Sequence, residues 1–294
     1  ALDMAAFIKH AKTKLGYEKV VLFGWSGGGS LALFYQSQAE NPTITHTPAG
    51  DPVDLKNAGL IPADAIVLQA AHLSRASSLT EIIDPSVIDE LDPDNRDVEL
   101  DIYDKRNPNQ PPYSQEYVQR YRQAQKERVR RITAWVKQQL EILKAKGTGE
   151  LERGFVVHRT MADPRYLDPT LDPNDRRAGW CFMGNPETVN TGPVGLARFC
   201  TLRSWLSQWS FEDSRAIGLD CAAQIRTPVL VIENSADDAV PQPHAQLMFN
   251  AARSKDKTLK VIKGATHYYQ GQPELLAEAT QIAHTWLQER NLLP

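Results

Sequence analysis

Lys19-Val20-Val21-Leu22-Phe23-Gly24-Trp25-Ser26-Gly27-Gly28 is the stretch on which the fold turns. The apolar run 20–23 is short and almost continuous, as expected of a strand buried on both faces. Gly24 to Ser30 is glycine-rich, and residues 31–39 have the pattern of a helix. A strand that reverses at once into a helix forces the residue at the turn into strained backbone geometry. Only very small neighbours tolerate that approach, which accounts for Gly24, Gly27 and Gly28. The spacing is G-x-S-x-G, with Trp25 and Ser26 at its centre. The pentapeptide alone is a weak signal, but a strand directly before it and a helix directly after it are the confirming context.

Working outward, residues 2–15 read as an amphipathic helix, with Gly16 placed to stop it. Residues 41–59 read as a loop. Further buried strands are expected at 65–68, 226–232 and 258–262, and a closing helix at about 273–290. Strands alternating with helices predict a parallel sheet covered on both faces. A long insertion separates the second strand from the third. Within it, residues 115–146 read as one helix, with Ser114 as N-cap and a buried stripe of Tyr117, Tyr121, Ala124, Ile132, Trp135, Val136, Leu140 and Leu143. Its many Arg and Lys residues, Arg128 among them, read as a solvated face. Residues 194–209 also look helical. The expected organisation is core at 1–74, insertion at 75–219 and core again at 220–294.

With 294 residues the chain can bury a large core. A net charge of -3 and a pI near 6.2 favour neither a nucleic-acid nor a membrane-surface partner. No apolar stretch approaches the roughly 20 residues of a membrane span. Cys181, Cys200 and Cys221 are odd in number and lack CxxC spacing, so buried free thiols are expected in a reducing, cytoplasmic setting. Asp163, Asp168, Asp172 and Asp175 form an acidic loop without the ligand spacing of a calcium loop. They read as turn residues, and neither metal nor cofactor is called for.

A serine hydroxyl is a poor nucleophile until a base takes its proton. The chain has seven histidines. His10 and His284 lie in helices, His46 in a Pro/Gly loop, His158 in the insertion, and His244 opens a helical stretch. His72 follows the second strand. His267, in Gly264-Ala265-Thr266-His267, follows the last strand, where a base has to be. Asp237 and Asp238 both follow the third strand, and on the residues alone either can orient the imidazole. The backbone N–H of Gly27 is placed to donate to an oxyanion.

The chain resembles the α/β-hydrolase superfamily, in the branch with an inserted, mainly helical cap. The order Ser26, Asp237, His267 is that superfamily's order of nucleophile, acid and base. In its acid loop the acid usually stands four residues before a proline; Pro241 therefore selects Asp237. The resemblance covers about residues 1–74 and 220–294, and makes the insertion a cap. It also implies four strands preceding the first helix, and with them a second oxyanion donor, on a segment or chain outside this sequence. The implied activity is carboxylic ester hydrolysis through an acyl-enzyme, as in the carboxylesterases of EC 3.1.1. Acyl transfer and thioester, lactone, amide or carbon–carbon bond hydrolysis use the same triad, and a low-turnover ligand receptor shares the fold. The expected partner is a small acyl substrate. Among insertion residues, His158, Arg159, Trp205 and Trp209 are the candidates to face it.

Overall fold

The computed structural model describes residues 1–172 and 174–293. Its strands, in chain order, are β1 (Val21–Trp25), β2 (Ala65–Gln69), β3 (Val87–Asp89), β4 (Asp92–Arg96), β5 (Gly154–Val156), β6 (Phe199–Thr201), β7 (Val229–Asn234) and β8 (Lys257–Ile262). The chain divides into two compact units. One comprises residues 1–75, 174–176 and 215–294, and the other residues 76–173 and 177–214.

The first unit holds a four-stranded sheet in the order β1-β2-β7-β8, parallel throughout. Because side chains alternate across a strand, each strand feeds two cores. Ile66, Leu68, Val229 and Val231 pack on one face with Leu33, Cys221 and Met248. Ala65, Val67, Leu230 and Ile232 pack on the other with Ala279, Ala283 and Trp286 of the Pro273–Gln288 helix. The central strands β2 and β7 are thus covered on both faces, which explains why they read as apolar runs; β1 and β8, the end strands, are only partly buried, and Phe23, expected inside, is 56% exposed. The opening helix is Leu2–Thr13; it ends at Lys14, and Gly16 (φ 73°) turns the chain just beyond. The three cysteines are free and buried. No helix among the described residues is long and apolar enough to cross a membrane.

The second unit is organised by the Gln115–Lys146 helix. Ser114 Oγ accepts from Tyr117 N at 3.1 Å, and Gly147 takes the left-handed conformation (φ 60°) that terminates it. Its buried face includes Tyr117, Tyr121, Val129, Ile132, Val136 and Leu143, but also Gln125, Arg128 and Thr133. Arg128 departs from the expected solvated face. It is fully buried, paired with Glu90 at 2.7 Å, and it donates to the carbonyls of Asp84 and His158. Trp135, expected in the stripe, is 39% exposed. Other basic residues of the helix are also engaged: Arg120 with Glu99, Arg130 with Glu212 and Lys137 with Asp213.

Residues 194–209 are not one helix. They form β6, which pairs antiparallel with β5, then a turn of helix at Leu202–Ser204 and a π-helical turn at Trp205–Trp209. Pairing with a distant strand overrides the local helical pattern, and Thr201 and Ser204 cap the restart reciprocally. A short antiparallel hairpin, β3-β4, lies within residues 83–112, which are rich in Asp, Asn and Pro.

The acidic loop disperses into separate roles. Asp168 accepts from Tyr113 N at 2.7 Å, and Asp175 accepts from Ser235 Oγ. No group of three or more His, Cys, Asp or Glu able to hold a metal occurs among the described residues. Asp163 meets Arg122 at 2.6 Å and the Nε of Arg165 at 2.9 Å. Burial pushes its pKa up, but the two guanidinium groups more than offset this and hold it below the ordinary carboxylate range. A carboxyl whose folded pKa is depressed stabilises the fold above its unfolded pKa, near 4, and loses that contribution as pH falls through the folded value. Asp163→Asn removes a buried carboxylate from the part-buried Arg122 and leaves the part-buried Arg165 with Glu81, and is expected to lower stability by about 3 kcal/mol at pH 7. Urea unfolding at pH 7 and pH 3 checks this: the gap between wild type and variant must narrow at the lower pH.

Candidate active site

Ser26 sits between the end of β1 and the Gly27–Glu40 helix, with φ 53° and ψ −122°. That region is sparsely populated by side-chain-bearing residues, and occupying it costs about 1–3 kcal/mol. The conformation is held from both sides. Ser26 N donates to Gln69 O of β2 at 3.1 Å, and Ser26 O accepts from Gly29 N at 3.1 Å. The helix behind the turn is 14 residues long, so its N-terminal N–H groups favour negative charge beside Ser26.

The glycines divide by need. A Cβ on Gly24 would lie 2.7 Å from Gly28 O, so only glycine permits the reversal there. The second tight contact falls at Gly29, where a Cβ would meet the Cβ of Ala71 at 2.4 Å. Gly28, expected to be small for the same reason, faces open space. At Gly27 a Cβ would approach His72 Nε2 at 3.2 Å and Arg75 Nε at 3.4 Å.

Asp237 and His267 come from the loops after β7 and β8. Both are almost fully buried. His267 Nδ1 lies 3.1 and 3.0 Å from the two carboxylate oxygens of Asp237. An ionised carboxylate only accepts, so Nδ1 carries the proton and Nε2 is the basic nitrogen. Asp237 Oδ1 also accepts from Ala239 N at 2.8 Å and Val240 N at 2.7 Å, which fixes the carboxylate in its turn. Asp238 makes no such contact with the imidazole. Burial, with the neighbouring Asp237 charge, raises its pKa, and its buried Oδ1 has no hydrogen-bond partner. The His267 ring packs against Trp25 (centroids 5.7 Å) and edge-on against Tyr268 (4.8 Å). The residue before Ser26 is therefore in ring contact with His267.

A polar network lies beneath the site. Tyr269 OH donates to Asn234 Oδ1 at 2.7 Å, and Gln69 Nε2 donates to the same oxygen at 3.1 Å and to Tyr269 OH. Asn234 Nδ2 donates to Thr266 O at 2.9 Å. Three residues thus join the ends of β2 and β7 to the loop carrying His267. Their one sequence signal is polarity at the last position of a buried strand, at Gln69 and Asn234, and it was overlooked because period and propensity say nothing about strand ends. His72 lies here too. Burial, followed by the charges of His244, Arg75 and His267, lowers its pKa to about 3, so its imidazole is neutral at physiological pH.

The insertion candidates belong to the second unit. Trp205 and Trp209 are in the packed interior of the second unit, where Trp205 is fully buried and donates to Thr133 Oγ1 at 2.9 Å. Arg159 is held by Asp84 at 2.7 Å and Asp101 at 2.9 Å, in the same unit. His158 lines two cavities of that unit.

No family model matches the chain, and no curated protein does. Solved structures do match. A monoacylglycerol lipase of Paleococcus ferrophilus is 18% identical, with TM-score 0.43, over 98% of this chain and 75% of that one. MenH of S. aureus is 14% identical, with TM-score 0.40, over 99% and 76%. An alpha/beta fold family hydrolase of Bacillus anthracis str. Sterne is 12% identical, with TM-score 0.40, over 97% and 73%. This chain's own architecture is what places it. A doubly covered parallel sheet, a strained serine between strand and helix, and Asp237 and His267 on the loops after the sheet's third and fourth strands together make an α/β-hydrolase fold.

Proposed function

We propose that the protein is a serine hydrolase of carboxylic esters, acting through an acyl-enzyme. The observation that carries this reading is the left-handed Ser26, fixed between β1 and the helix, in a fold that also pairs a buried His267 with Asp237. A backbone cost of that size at a serine, with an imidazole oriented by carboxylate close by, is the arrangement of an activated nucleophile.

In the proposed mechanism Ser26 Oγ attacks the acyl carbonyl while His267 Nε2 takes its proton. Asp237 holds the tautomer and stabilises the imidazolium that forms. The Gly27 N–H, at the N-terminus of its helix, donates to the oxyanion of the tetrahedral intermediate. Collapse of that intermediate expels the alcohol, which His267 protonates. Water, deprotonated by His267, then releases the acid and restores Ser26. Serine rather than aspartate at the turn favours acyl chemistry over dehalogenation or epoxide opening.

Two measurements test the reading. A fluorophosphonate probe is expected to label the wild type and not Ser26→Ala, and p-nitrophenyl ester turnover by that variant should fall by about 10⁴-fold or more. Full turnover by Ser26→Ala, or absence of labelling in the wild type, overturns it. Asp237→Asn should lower kcat by about 10³–10⁴-fold, because the amide no longer selects the tautomer. Asp238→Asn should stay within a few-fold of wild type. A larger loss at Asp238 than at Asp237 would reverse the assignment of the acid.

A further inference from the structure

Arg198, in the second unit, is a buried cation that meets no carboxylate among the described residues. It is 8% exposed. Its NH2 donates to the carbonyls of Val189 and Asn190 and to Thr160 Oγ1, and its NH1 donates to Gly192 O. All of these acceptors are neutral. Its Nε is buried and has no hydrogen-bond partner. Burial, and then the nearby charges of Arg128 and Arg159, disfavour its protonated form and lower its pKa. A buried guanidinium in this state gains substantially from an anion.

Arg198 lines a cavity of about 560 Å³, together with Arg96, Arg159 and His158. Arg159 and Arg96 are compensated by Asp84 and Asp101. Arg198 is the guanidinium of this wall that lacks a carboxylate. A second cavity of about 550 Å³ shares Val156 and His158 with the first. Ile88, Leu91, Ile132, Trp135 and Phe155 give it an apolar wall, beside the charged Asp89, Glu90 and Arg131. Leu91 is 93% exposed and Ile88 54%, an apolar surface of the kind that marks binding sites. Both volumes are in the range of small-molecule sites.

We infer that the second unit binds a single-chain amphiphilic carboxylate, of the fatty-acid type, with its carboxylate on Arg198 and its chain in the Leu91–Trp135 cavity. Charge complementarity fixes the head and the apolar lining fixes the tail, with His158 and Val156 at the junction. The site uses no residue of the Ser26 centre, so it stands or falls independently of the proposed hydrolysis.

The test is calorimetric titration of the full chain carrying Ser26→Ala, so that no turnover intervenes, with decanoate, decanol and acetate. Decanoate should bind saturably, and at least tenfold more tightly than either decanol or acetate. Arg198→Gln should weaken decanoate at least tenfold and leave decanol unchanged. Absence of saturable decanoate binding, or wild-type affinity in a folded Arg198→Gln protein, overturns the proposal; the second result would make Arg198 only a cap on the carbonyls it holds. Should circular dichroism show that Arg198→Gln does not fold, the exposed Leu91→Asp decides. It must weaken decanoate at least fivefold, and wild-type affinity sinks the site.

Discussion

The backbone of Ser26 is the constraint around which the first unit is arranged. A serine with φ 53° persists only where its surroundings over-determine it. Here they do so by contact and by hydrogen bonding. Gly24 lets the strand pass against the Gly28 carbonyl, and Gly29 lets the helix settle on Ala71. The neighbouring strand accepts the Ser26 N–H through Gln69 O. The exact position of β2 beside β1, Trp25 opposite Gln69, is what puts that carbonyl in reach.

Gln69 links this turn to the rest of the centre. Its carbonyl holds Ser26 and its side chain holds Asn234 and Tyr269, while Asn234 reaches on to Thr266, one residue before His267. Ser26, the end of β7 and the loop carrying His267 therefore share one buried set of hydrogen bonds. Such networks rigidify when satisfied. The arrangement explains why polar residues end two apolar strands, where packing alone would favour more Val or Ile.

The strands of the sheet and the turn at Ser26 were legible because each is a local pattern. Apolar runs marked β2 and β7, and glycines flanked Ser26. The long helix was legible from its period, its Ser114 cap and its Gly147 stop. What escaped was set by tertiary partners. Arg128 looks solvent-facing from its charge, yet Glu90 and two carbonyls from other segments bury it. Residues 199–201 look helical until β5 pairs with them. Gly28 was credited with a contact that Gly29 makes, since one residue along a tight turn changes which hydrogen faces Ala71. From the residues alone Asp237 and Asp238 were both open; the resemblance favoured Asp237 through Pro241, and Asp237 is the one whose carboxylate meets the imidazole.

The strained turn also bears on how this sequence drifts over generations. Glycine at position 26 would adopt the same backbone without the steric cost that serine meets. For folding alone, then, Ser26 is one of the few places in the sheet where the native residue is not the one that stability would choose. Mutation followed by selection for a well-folded chain would erase it. The hydroxyl at that position is therefore not accounted for by the stability of the fold.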